Sequence, residues 1–366
     1  MTLGRKLGAG AVVLALGGFV AFAATFTPVN ERRTGTAEGP QLTGSLVGAG
    51  SSAQQAAMQG WTAGFSALQP GVSVDYDPVG SGGGREQFLA GGIVFAGSDA
   101  ALDDAELAEA TERCGPAGVF ELPDYIAPIA VVHSLDVPDL QLAPATLAGL
   151  FSGAITRWDD PAVAADNPGV ALPDLAVAPV HRSDDSGTTE NFTDYLAAAA
   201  GDAWPAEASG EWPLSGGEAA QGNSGVVAAV RGGSGTVGYA DLSQVGELGV
   251  ASIGVGETFV APSAETAAAV VEESELLPGR GEHDRAIELA RDTTTGDQYP
   301  IVLVSYHVGC LAYDDAETVE LLQAFLSHVV SEEGQDAAAE VAGSAPISDA
   351  LREEALGAIE AIHATS

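Results

Sequence analysis

The chain has 366 residues, 46% of them hydrophobic, with 51 acidic against 13 basic side chains and a net charge of −38. That length exceeds one small core and suits two linked α/β units. The acidity excludes nucleic acid and anionic lipid as partners, and the single lysine, Lys6, excludes a lysine-dependent phosphate loop for nucleotide hydrolysis.

Arg5 and Lys6 precede an uncharged run from Leu7 to Ala24, in which Ala21-Phe22-Ala23 offers a small-x-small cleavage site. Residues 1–24 read either as a signal peptide cut after Ala23 or as an uncleaved anchor, because the uncharged run to Pro28 is just long enough to span a bilayer. No cysteine follows the run, so lipid attachment there is unsupported. Residues 25–41 are polar and suit a linker. Both readings place the remainder outside the cytoplasm, secreted or held by the N-terminal anchor. In that compartment Cys114 and Cys310 suggest one disulfide, the alternative being two buried free thiols.

Further along, Leu42–Val47 reads as a strand entering Gly48-Ala49-Gly50-Ser51-Ser52, followed by a helix over Ala53–Leu68 that stops before Pro70-Gly71. Val72–Tyr76 alternates as a strand, runs into Gly80-Ser81-Gly82-Gly83-Gly84, and leads to a short helix near Arg85–Ala90. Ile93–Ala96 is a brief strand ending at Gly97-Ser98-Asp99. Tyr125–Val132 is the next strong strand and Thr146–Phe151 a short helix. Leu175–Val180 reads as a strand entering His181-Arg182-Ser183-Asp184-Asp185-Ser186-Gly187-Thr188, with a helix over Thr189–Ala200. Gly222-Asn223-Ser224-Gly225 precedes a helix at Val226–Val230, and Thr236–Tyr239 and Ile301–His307 are strands. Thr318–Ser331 is amphipathic, with Val319, Leu321, Leu322, Phe325 and Leu326 on one face. Strands alternating with helices define an α/β class.

Three Ser/Gly turns each link a strand to a helix. A helix start leaves its first N–H groups without partners inside the helix and carries partial positive charge. Hydroxyls add donors there, so an oxyanion is held without a lysine. A single such turn is ordinarily just a cap; three at the carboxyl ends of strands mark a ligand site in an open α/β sheet. Arg182 ends a strand four residues before Ser186 and offers a forked donor, or else a surface ion pair. A carboxylate such as Asp99 or Asp184 suits an anion site only if the anion carries a proton for it to accept. Hydrogen phosphate does and sulfate does not, and an unpaired buried acceptor costs several kcal/mol.

These motifs resemble the phosphate-binding protein of bacterial phosphate ABC transporters, the PstS family. The resemblance rests on Gly48 to Ala53, Val79 to Gly84, Phe95 to Asp99, Ile155 to Pro161, His181 to Thr188, Gly222 to Gly225 and Val237 to Tyr239, which stand in family order over about residues 42–345. It implies a two-lobed periplasmic-binding-protein type II fold, with two mixed sheets flanked by helices and joined by two crossing hinge segments, near Ile126–Ala130 and Val302–Tyr306. Residues 42–127 and 304–366 would form one lobe and 128–303 the other. The implied phosphate ligands are Ser52, the amide of Ala53, Ser81, Asp99 as proton acceptor, Arg182, Ser186, Gly187 and Thr188, with Asp184 as ion-pair partner of Arg182. Two departures stand out: the family often has Thr and a bulky residue where this chain has Ser52 and Ala53, and its usual lipid-attachment cysteine is missing. The implied partners are inorganic phosphate and the membrane permease, the chain acting as a monomer without cofactor or metal.

Two rivals follow from the same residues. His181, Asp184 or Asp185, and Ser186 form a conceivable hydrolase set, but they share one short loop and no Gly-x-Ser-x-Gly elbow is present. A site for another oxyanion, such as sulfate, is disfavoured by Asp99.

Overall fold

The computed structural model describes residues 41–365. The expected signal peptide or anchor and nearly all of the linker lie outside the described residues. No described helix is long and apolar enough to cross a membrane.

The first third contains β1 (Thr43–Gly50), α1 (Gln55–Leu68), β2 (Gly71–Asp77), α2 (Ser81–Leu89), β3 (Phe95–Ser98) and α3 (Asp104–Cys114). In α1 the spacing of Ala57, Met58, Trp61 and Phe65 turns one apolar face to the core. In β2, Val72 and Val74 are buried and Ser73 and Asp75 exposed. Next comes β4 (Val119–His133), buried along all its 15 residues, as a strand covered on both faces must be. The middle of the chain supplies α4 (Pro144–Ser152), α5 (Pro161–Asp166), β5 (Ala178–Arg182), α6 (Gly187–Ala199), β6 (Glu218–Ala220), α7 (Gly222–Gly232), β7 (Thr236–Asp241), β8 (Gly249–Val250) and α8 (Ala264–Glu272). The last part holds β9 (Val302–Cys310), α9 (Ala316–Val330), α10 (Glu332–Ala342) and α11 (Asp349–Ala361).

These nine strands form one mixed sheet in the order β2-β1-β3-β9-β4-β7-β5-β6, with β8 also on β4. The expected two sheets are its two halves, and they share β4. Residues Val119–Pro128 of that strand pair antiparallel with β9, whereas Ile129–His133 pair antiparallel with β7. The parallel pairs β1–β2 and β1–β3 build the first half, and β5–β7 and β5–β6 the second. Parallel pairing puts the turns after β1, β3 and β5 at carboxyl strand ends.

Three differences from the sequence reading have physical causes. The glycine runs at Ser81–Gly84 and Gly222–Gly225 lie inside α2 and α7 rather than before them. Gly84 is needed there, because a Cβ would meet the Gly50 Cα at 2.4 Å. α3 begins on a capping box between Asp103 and Glu106 that the periodicity alone did not reveal. Finally, α8 and Ile287 to Ala290, expected in the second lobe, pack against Phe88, Ala96, Val119 and Val308 of the first half. Cys114 and Cys310 are bonded, which ties the end of α3 to the end of β9.

Candidate functional site

The turn after β5 carries most of the chemistry. Ser186 caps α6, its Oγ accepting the Thr189 N–H at 3.2 Å. The amides of Gly187 and Thr188 fall in the first turn, where no partner exists within the helix. This helix start abuts the other half of the sheet: a Cβ on Gly187 would lie 2.7 Å from Ser81 Oγ and 2.9 Å from Asp99 Cβ. Ser81 opens α2 and its Oγ accepts the Asp99 N–H at 3.2 Å. Gly80, just before it, takes φ +103°, and a side chain there would strike Asp184 Oδ2 at 2.6 Å.

Asp99, immediately after β3, is 2% exposed. Its Oδ2 accepts Ser51 Oγ at 2.6 Å and Thr188 Oγ1 at 3.3 Å, and its Oδ1 accepts Ser305 Oγ at 3.3 Å. Burial pushes its carboxyl up to about 6, opposed by the Ser51 hydrogen bond, the Arg182 charge and the Ser305 hydrogen bond. From α6, Asn191 Nδ2 donates to the Asp99 carbonyl at 2.7 Å and fixes the backbone.

Arg182 ends β5 with its side chain only 1% exposed. Nε donates to Asp184 Oδ1 at 2.8 Å and Nη2 to Asp184 Oδ2, giving a bidentate pair. Burial raises the Asp184 carboxyl, but the Arg182 hydrogen bonds and charge outweigh it and hold the group below its usual range. The third nitrogen, Nη1, is buried without a hydrogen-bond partner. A guanidinium donor stranded in this way is an available contact for an oxyanion.

The two halves also meet at Ser52. Its Oγ accepts the Asn223 N–H at 3.2 Å and the Asn223 Nδ2 at 3.1 Å. The same Nδ2 reaches Thr188 Oγ1 at 3.3 Å, while Asn223 Oδ1 accepts the Asp241 N–H at 2.8 Å. Gly222 N–H donates to Asp184 Oδ1 at 3.0 Å. Hydrogen bonds thus join Ser52, Ser81, Asp99, Gly187 and Thr188 through Asn223 and Asn191, and a second set joins Arg182, Asp184 and Ser186 through Tyr239 and Thr189; the two sets adjoin along the chain at Gly222-Asn223 and Thr188-Thr189.

Ala53 departs from the sequence reading, because its N–H donates to Ser51 Oγ at 3.0 Å. Sequence reasoning also passed over Ser51, whose hydroxyl makes the shortest contact to Asp99, and Ser305 on β9. Asn223 was read as a turn residue facing the cleft or a plain cap; it is the bridge between the halves. His181 does not serve Ser186: its ring nitrogens lie 2.9 Å from the Arg182 carbonyl and 3.1 Å from the Gly216 carbonyl, and the ring stacks on Trp212. Among the described residues no cluster of His, Cys, Asp and Glu could hold a metal ion.

Two α/β halves that share the long strand β4 and bring the hydroxyl-bearing starts of α2 and α6 together at Gly187 form a periplasmic-binding-protein type II fold. The family model of the PBP superfamily domain matches residues 35–333. Phosphate-binding protein PstS2 of Mycobacterium bovis is 34% identical over 329 residues, covering 87% of each chain. Phosphate-binding protein PstS 3 of Mycobacterium leprae is 32% identical over 348 residues, covering 91% of this chain and 92% of its own. The chain belongs to the PstS family of phosphate-binding proteins. In fold it is similar to a high-affinity periplasmic phosphate-binding protein solved with phosphate at pH 8.5, with TM-score 0.68, 22% identity, and 85% and 92% of the two chains covered. A phosphate-binding protein from Stenotrophomonas maltophilia superposes with TM-score 0.66 at 21% identity, covering 86% and 93%.

Proposed function

We propose that this chain captures inorganic phosphate outside the cytoplasm and hands it to the membrane permease of an ABC transporter, as a binding protein rather than an enzyme. The observation that carries this reading is the stranded Nη1 of buried Arg182, whose charge acts on the buried Asp99 carboxylate and whose backbone is tied through Tyr239 to the first turn of α6. The ligand groups are Ser52, Ser81, Arg182, Ser186, Gly187 and Thr188, with Asp99 accepting the ligand's proton and Asp184 orienting the guanidinium. The halves of the sheet on either side of β4 act as lobes that close on the anion by hinge motion, and the second lobe gives up α8 to the first.

Arg182 and the neutral dipoles attract any oxyanion. Asp99 discriminates, because a fully deprotonated ligand leaves it buried and unpaired against a like charge. Calorimetric titration of the purified full chain should show phosphate preferred over sulfate by about 100-fold or more. Equal affinities, or sustained turnover of a chromogenic phosphate ester, would overturn the reading.

A further inference from the structure

Asp99 is held by more than its own strand. Of the three hydroxyls that reach its carboxylate among the described residues, Ser51 follows β1, Thr188 comes from α6 in the other half, and Ser305 lies in the middle of β9. Ser305 is completely buried. Antiparallel pairing of β9 with β3 matches Tyr306 with Ser98, so one step further sets Ser305 directly opposite Asp99. Residues opposite each other on antiparallel strands share a face.

The other neighbour of β9 is adjusted at the same point. Its register with β4 passes from Ser305↔Tyr125 to Tyr306↔Pro123, leaving Asp124 as an extra residue. A bulge of this kind re-aims side chains beside a site. Asp124 is thereby engaged elsewhere, its Oδ2 accepting Gln54 Nε2 at 2.6 Å and lying 2.6 Å from His307 Nδ1. Oδ2 of Asp124 is thus occupied, and the Ser305 hydroxyl, which also adjoins the Tyr125 hydroxyl, reaches Asp99 Oδ1 at 3.3 Å.

We propose that Ser305 is a specificity-determining positioning residue, which from β9 holds the Asp99 carboxylate as an ionised, oriented acceptor for the ligand's proton. The proposal rests on the phosphate-binding reading and deepens it. Asp99 needs such help. Arg182 is the cation that acts on it, while Asp124 repels its charge, and Tyr76, Tyr125 and Asp241 each feel that charge in turn. Removing one hydroxyl from a buried carboxylate raises its pKa. Burial has already pushed Asp99 to about 6, so a further rise brings protonation to neutral pH, where a protonated Asp99 no longer accepts from the ligand.

The test compares Ser305→Ala and Ser305→Thr with the unmodified full chain, titrated with phosphate and with sulfate from pH 5 to 9. Comparing proteins at each pH cancels the ionisation of phosphate itself. Ser305→Ala should shift the acid-side loss of phosphate affinity upward by about one pH unit, costing several-fold at pH 7, while sulfate affinity stays level or rises. Ser305→Thr keeps the hydroxyl and should restore the profile. Should the alanine variant fail to fold, Ser305→Cys, a poorer donor of similar size, carries the same comparison with a smaller shift. Superimposable profiles for the variant and the unmodified chain overturn this inference and leave phosphate binding intact. Failure of the unmodified chain to bind phosphate at any pH overturns the underlying reading.

Discussion

The hydroxyl of Ser52 accepts hydrogen bonds from both the main-chain and the side-chain nitrogen of Asn223, joining the turn after β1 to the start of α7, 171 residues away. Since Asn223 also donates to Thr188 and accepts from Asp241, it ties the first turn to the two elements that flank it from the second half. All these groups are buried, so each bond lost leaves an unpaired partner.

Truncating Asn223 should therefore weaken binding by loosening Ser52 and Thr188, the two ligand groups it holds. Asn223→Ala is expected to cost about 1.5–3 kcal/mol in phosphate affinity, roughly 10- to 100-fold. Scattering from the phosphate-loaded variant should show a larger radius of gyration than the parent. An unchanged dissociation constant would show that the bridge does not support closure.

Arg182 offers a planar fork, with one edge spent on Asp184 and one nitrogen left over. Lysine is a single point donor and cannot serve both. Arg182→Lys should lose at least about 100-fold for phosphate, and Arg182→Ala more, with sulfate affinity falling in parallel. Calorimetry on both anions reads this directly; a loss confined to phosphate would assign discrimination to the wrong residue. The pair also has a pH signature. Because Arg182 holds the Asp184 carboxyl below its usual range, its stabilisation is present above the ordinary carboxyl pKa and disappears as pH falls through the lowered one. Thermal melts of the parent should lose this contribution on acidification, and melts of Arg182→Ala should not.

Much of this site was legible in the sequence because its donors sit where local rules put them. Hydroxyls at helix starts and glycines at strand ends follow from capping and close approach, and Ser81, Ser186, Gly187 and Thr188 lie in such places. The participants that escaped notice depend on pairing between distant strands. Ser305 gains its role from the β9–β3 register and the bulge at Asp124, neither of which local pattern specifies. The assignment of α8 failed for a related reason: an apolar stripe says that a helix packs, not which half of the sheet it returns to. The glycine run at Ser81–Gly84 was read as a turn on propensity, yet tight packing of Gly84 on Gly50 overrides propensity and makes it helical.

Asp99 is expected to trade stability for selectivity. Its carboxyl is raised from 3.8 to about 6 by burial, so the folded protein binds more protons than the unfolded chain between those values. Stability from this group is then highest at low pH and falls as pH rises through about 6. Asp99→Asn removes the buried charge and should stabilise the ligand-free protein at pH 8 by on the order of 2–3 kcal/mol, with little gain at pH 4. The same variant should lose much of its preference for phosphate over sulfate. Denaturant melts at the two pH values check the first outcome and paired titrations the second. If the melts coincide at pH 8, the charge is not buried as described.

Gly187 separates closure from folding. A methyl group on it would sit 2.7 Å from Ser81 Oγ, 2.9 Å from Asp99 Cβ and 3.0 Å from the Ala100 nitrogen, all of them on the opposite half of the sheet. Two of these three contacts involve main chain or a Cβ anchored to it, which cannot rotate away as a side-chain tip can. Alanine is otherwise a better helix former than glycine, so α6 itself should not suffer. Gly187→Ala is thus expected to leave the melting temperature of the ligand-free protein within a few degrees of the parent, provided the halves can part. Phosphate affinity should fall by about 100-fold or more, because the helix start can no longer approach Ser81 and Asp99. The decisive measurement is stability with and without phosphate: the parent should gain stability on adding ligand, and Gly187→Ala should gain almost none at the same concentration. A variant that melts far below the parent without ligand would place the clash within a single folding unit rather than between two closing halves.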